Sequence, residues 1–125
     1  MKAQPEKLQR IVRTVLDVEL DALRGVADSI AQKTYAVNNL TKEKADRARA
    51  ATLSVGGADP ALMTGKDILW WGWANSQIKE MNRELAALNA EREEKLLHAR
   101  NAFGRVQALD ALIKRTREHA KKPGH

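Results

Sequence analysis

The side chains of this 125-residue sequence that could do chemistry are few and scattered. Its histidines are His98, His119 and His125, and none stands in an H-x-x-x-H pair with an acidic neighbour suited to zinc. Cysteine is absent, which removes thiolate metal sites, disulfides and a cysteine nucleophile together. Gly56 and Gly57 are not followed by G-K-S/T at phosphate-loop spacing, so "TGKD" at residues 64–67 reads as a helix cap. Carboxylates such as Glu93 and Glu94 fall on an expected exposed helix face, without the water-excluding concavity that catalysis needs. The expectation is a protein that is not an enzyme and takes no metal or cofactor.

What remains is binding chemistry. "DILWWGWANSQ", residues 67–77, holds all three tryptophans (Trp70, Trp71 and Trp73) of a chain with one Tyr and one Phe. Lys and Arg number 22 against 16 Asp and Glu, a net charge of +6, which favours acidic partners. One basic group, Lys42, Lys44, Arg47 and Arg49, is interleaved with acids and reads as a solvated flank. The other, Lys114, Arg115, Arg117, Lys121 and Lys122, is lopsided, as is the N-terminal set Lys2, Lys7, Arg10 and Arg13. Neither group carries aromatics for base stacking, so nucleic acid is the disfavoured partner and would require binding that falls steeply with salt.

The elements that must position these residues are helices. Aromatics make up 4% of the chain and charged residues 30%, with Ala, Leu, Glu, Lys and Arg abundant, the composition of a coiled coil. Gly and Pro concentrate in "SVGGADPALMTG", residues 54–65. The expected layout is a helix over about residues 5–53, a loop over about 54–65, a helix over about 66–122 and a short disordered tail. Thr64 is the expected N-cap of the second helix, with Asp67 three residues on. The N-terminus lacks the apolar run of a signal peptide, and no segment approaches the roughly 18 apolar residues of a membrane span, so a soluble, intracellular protein is expected.

Heptads support two helices. Trp71, Ile78, Leu85, Ala99, Val106 and Ile113 recur every seventh residue, interrupted by Arg92, with Ala74, Met81, Leu88, Ala102 and Leu109 as the partner series, interrupted by Lys95. The first helix offers Leu16, Leu23, Ile30 and Val37 beside Val12, Val26 and Leu40, broken by Glu19 and Lys33. The predicted fold is all-α: a long two-helix antiparallel coiled-coil hairpin in which partner numbers sum to about 120. Ala45, Ala48, Ala50 and Ala51 then stand opposite the tryptophans as small residues receiving an indole. With about 100° per residue, a seam Trp71 leaves Trp70 on the flank and sends Trp73 outward. Leu62 and Met63 of the loop are candidates to cover Trp70. Gly72 suggests a bend or a close backbone contact.

The chain resembles the FliJ/YscO family, small stalk proteins of flagellar and type III secretion export machinery. The resemblance rests on "KLQRIVRTVLDVELDALRGVADSIA", on the tryptophan-led second helix with its Trp71, Ile78, Met81 and Leu85 ladder, and on "ARNAFGRVQALDALIKRTREH". It implies a cytoplasmic, non-enzymatic stalk or adaptor peripheral to a membrane-bound export apparatus. Its open, basic end would contact the export ATPase hexamer through Arg10, Arg13, Arg105, Lys114, Arg115 and Arg117. An outer face of the early second helix, Trp70, Trp73, Gln77, Glu80 and Glu84, would contact an export-gate component or chaperones. The family presents apolar side chains there, whereas this chain is polar after Trp73. A monomeric hairpin is the expected state, and a homodimeric coiled-coil scaffold is the alternative.

Overall fold

The computed structural model describes residues 3–54 and 65–121. Two α-helices account for them: α1, Ala3–Ser54, and α2, Gly65–Ala120. The expected loop, with Thr64, Leu62 and Met63, and the C-terminal tail lie outside the described residues. Each helix opens with a carboxylate in its first turn, Glu6 in α1 and Asp67 in α2, and α2 closes on Arg117 and His119. Those placements oppose the helix dipole at each of these ends.

The helices pack against each other as an antiparallel hairpin, and the packing divides into two units. Unit 1 joins the chain up to Ala27 to the chain from Ala90 onward; unit 2 runs from Asp28 to Asn89. In unit 1 the core is Val26 of α1 with Ala99, Ala102, Val106 and Ile113 of α2. In unit 2 Ala74 is fully buried, while Ile30, Val37, Leu40, Ile78, Met81, Leu85 and Leu88 are half-buried along the seam. These are the heptad positions read from the sequence. A seam between two helices covers each side chain on one side only, which is why alanine reaches full burial and, among the described residues, no large side chain does.

Two of the four interruptions of the heptad, Glu19 and Lys33, are answered across the seam. Glu19 stands 3.8 Å from Nδ1 of His98 in unit 1, and Lys33 pairs with Glu84 in unit 2. Arg92 is exposed and lies 3.6 Å from the adjacent Glu93. A Cβ built on Gly72 meets nothing within 4 Å, and α2 runs through it as helix. The expected close backbone contact at Gly72 is therefore corrected: the site is open, and glycine there leaves the backbone exposed.

Candidate functional site

Two regions gather the residues singled out by type. The first, in unit 2, is the tryptophan cluster. Trp71 occupies a seam position and is half-buried; Trp70, one residue earlier, lies on the flank; Trp73 is 53% exposed, facing outward. The rings touch as a set. Trp70 and Trp71 meet edge to face, with centroids 6.2 Å apart at 88°, and Trp70 and Trp73 lie 6.4 Å apart at 46°. Edge-to-face geometry sets the positive rim of one indole against the negative face of another.

What covers the indoles from α1 differs from the expectation. Ala45, Ala48 and Ala50 are exposed and only Ala51 is half-buried. Arg47 lies over Trp70 instead, its guanidinium carbon 3.8 Å from the ring centroid, and Lys44 lies over Trp71 at 4.8 Å. The physical reason is phase. The inward spacing Ile30, Lys33, Val37, Leu40 continues to Lys44, Arg47 and Ala51, so Ala45, Ala48 and Ala50 fall beside the seam. Both cations are also held from the side. Lys44 donates to Asn75 Oδ1, and Arg47 donates to Glu43 at 3.2 Å. The group read as a solvated flank is thus half cover for an aromatic cluster, while Arg49 pairs with Asp46 at 3.8 Å.

The outer face assigned to Trp73, Gln77, Glu80 and Glu84 divides. Trp73, Gln77 and Glu80 are exposed, and Glu80 is paired with Arg83 at 3.5 Å. Glu84 is corrected: it sits at the edge of the seam, half-buried against Lys33. It follows Trp70 and Gln77 at seven-residue spacing, a flank series separate from that of Trp73 and Glu80. One turn before Trp73 on the same face Leu69 is 76% exposed, and Ile68, 62% exposed, points to a different face of α2. The apolar part of this surface therefore lies at the start of α2.

The second region is the basic part of unit 1. Arg13 and Arg117 are taken up across the helix pair: Arg13 donates to Asp110 at 3.2 Å and Arg117 to Glu6 at 3.3 Å. Gln9 also donates to Asp110, at 2.5 Å. That amide hydrogen bond is the main cause holding the Asp110 carboxyl below its ordinary range; partial burial opposes it, and the charge and hydrogen bond of Arg13 add to it. Arg10, Arg105, Lys114 and Arg115 are exposed, and no described carboxylate forms an ion pair with them. Four of the six expected contacts are thus available to a partner, and two stabilise the hairpin.

Among the described residues no group of three or more His, Asp or Glu side chains is placed to hold a metal ion, and no helix is long and apolar enough to cross a membrane. No family model matches the chain, and no solved structure matches it. A stretch of 61 residues is 41% identical to phosphoglycerate kinase of Halobacterium salinarum, in each of two strains. The match covers 49% of this chain and spans 15% of that enzyme's length.

Proposed function

We propose that the chain is a non-enzymatic stalk or adaptor of a flagellar or type III protein export apparatus, working in the cytoplasm at the membrane-bound machine. The observation that carries this reading is the set of exposed cations in unit 1, Arg10, Arg105, Lys114 and Arg115, with which no described carboxylate pairs, on a two-helix hairpin. Desolvating an unpaired guanidinium against a partner's carboxylate forms a charge-assisted hydrogen bond without first breaking one. These residues would contact the export ATPase hexamer. Trp73, with Leu69 one turn before it on the same face, would meet an export-gate component or chaperone.

The test is reconstitution with the cognate export ATPase, reading hexamer assembly by light scattering and ATP turnover. Wild-type protein should stimulate both, and Arg105→Glu with Arg115→Glu should abolish the effect while the helical signal and melting point stay unchanged. Trp73→Ala should leave the stimulation intact and reduce capture of the gate component from host lysate. Stimulation by the charge-reversed variant equal to wild type would overturn the assignment of the basic end.

A further inference from the structure

Helix α1 carries a second apolar stripe that the hairpin does not use. Leu8, Ile11, Val15 and Val18 follow one another at three, four and three residues, the same spacing as the seam but one residue out of phase with it. The seam residues Val12, Leu16, Leu23 and Val26 are buried or half-buried, whereas the second stripe is exposed at 48%, 51%, 40% and 61% in chain order. Three of these four are β-branched, the residues a solvent-facing helix surface has least reason to hold.

The two flanks of unit 1 differ. One is closed by Glu6 with Arg117 and by Gln9 and Arg13 with Asp110. On the other the heptad places Leu8 and Val15 of α1 with Arg105 and Leu112 of α2, and Leu112 is 58% exposed. Lys7, Arg10, Ile11, Thr14 and Val15 line a shallow depression of about 450 Å³ on this surface. Lys7 and Arg10 line it and the heptad sets Arg105 and Arg115 on the facing flank of α2; all four are exposed, and no described carboxylate pairs with them. At the far end of the stripe Asp21 is occupied by Arg24 at 3.3 Å, and Asp17 is exposed, so the basic rim belongs to the part from Leu8 to Val15.

From this we infer that the stripe Leu8, Ile11, Val15 and Val18 is a docking seam for an acidic amphipathic helix of another protein, which packs as a third helix on unit 1. The spacing supplies the shape: three-four repeats are knobs for a helix and extend about 15 Å, roughly three turns. The rim supplies the sign, since glutamates flanking the partner's apolar ridge meet Lys7, Arg10, Arg105 and Arg115. A second copy of this chain brings the same cations against themselves in a two-fold contact, which the charge disfavours. A lipid surface is met by a broad face with Trp, Phe and Leu, whereas this stripe is narrow and has no aromatic. The inference does not depend on which protein donates the helix, although its rim shares Arg10, Arg105 and Arg115 with the proposed ATPase contact.

The test uses a synthetic three-heptad peptide with Leu and Ile at its seam positions and Glu on both flanks. The chain has no cysteine, so Thr14→Cys, which lines the depression without belonging to the stripe, carries a single environment-sensitive dye beside it. Binding should shift the dye emission, weaken at least tenfold when Ile11→Gln and Val15→Gln are introduced together, and weaken as salt rises. Arg105→Gln with Arg115→Gln, which leaves the stripe intact, should lower affinity and flatten the salt dependence. A lysine-flanked version of the peptide should bind at least tenfold more weakly than the glutamate version. Circular dichroism melts of each variant separate lost binding from lost folding. Equal binding of both peptides, or of wild type and the Ile11 and Val15 double variant, overturns the inference. So does absence of peptide binding with stripe-dependent sedimentation on phosphatidylglycerol vesicles, or a dimer in light scattering that the double variant dissolves. ATPase stimulation is read without the peptide, so failure of the export reading and failure of this one are separate results.

Discussion

Gln9 donates to Asp110 at 2.5 Å from the opposite helix, and the same carboxylate accepts from Arg13. The native state favours the ionised form, so the Asp110 carboxyl is held below its ordinary value. A depressed carboxyl contributes stability that is fully present above the unfolded-state value of about 3.9 and is lost as pH falls through the lower folded value. Melting temperature should therefore decline on the acid side, and Asp110→Asn should flatten that limb while leaving its neutral-pH position lower. Circular dichroism melts between pH 2 and pH 7 measure both; an unchanged acid limb in the variant would remove Asp110 as its source.

The three tryptophans should separate by stability. Trp71 is half-buried on the seam, so Trp71→Ala should cost on the order of 2 kcal/mol, short of the roughly 3–5 kcal/mol of a fully buried indole. Trp73→Ala should change the denaturation midpoint little and should remove most of the iodide-accessible fluorescence. Equal losses from the two substitutions would contradict the outward placement of Trp73.

Arg47 should matter through its contact with an indole as well as through its ion pair with Glu43. Arg47→Met keeps the aliphatic stem and removes the cation, and it should cost about 0.5–1 kcal/mol. In a Trp70→Leu background the same substitution should cost less, and that difference in a double-mutant cycle is the measurement.

Lys33 and Glu84 offer a similar cycle. A half-buried but solvent-reached cross-helix pair is worth about 0.2–1 kcal/mol and weakens with salt, so coupling should be measurable at low ionic strength and reduced at 1 M salt. Exchanging the two residues should restore part of what either single charge reversal loses.

Gly72 and Gly104 meet no neighbour where a Cβ would go. Gly72→Ala and Gly104→Ala should each stabilise by about 1 kcal/mol through helix propensity alone. A destabilising effect on chemical denaturation would point to a contact that the open geometry does not contain.

The seam was legible in the sequence because burial and spacing express one periodicity. Ala74, Ala99, Ala102, Val106 and Ile113 are buried at heptad positions that were readable as such. Phase also placed Trp71 inward and Trp73 outward. Phase extended too short a distance misplaced the alanines: the three-four series on α1 runs on to Lys44 and Arg47, and their charge concealed that they hold seam positions. Glu84 was misread for the same reason, its seven-residue link to Trp70 and Gln77 being weaker to the eye than its proximity to Glu80. The Gln9 and Arg13 contacts with Asp110 required register to the residue and long side chains in one rotamer, neither of which a sequence supplies. The stripe of Leu8, Ile11, Val15 and Val18 was visible as spacing, but only its exposure separates it from the seam beside it.

Three cross-seam contacts stand two heptads apart on both helices: Glu19 with His98, Lys33 with Glu84, and Arg47 with Trp70. Apolar heptads by themselves tolerate sliding, because one leucine is much like the next. Here a slip of two heptads in one direction sets Glu19 against Glu84, and in the other it sets Lys33 against His98 and Glu19 against Leu112, with Arg47 against Glu84 as the pairing it gains. The order acid, base, base along α1 therefore works as an address written along the zipper: one misalignment meets repulsion, and the other gives up all three contacts for a single ion pair.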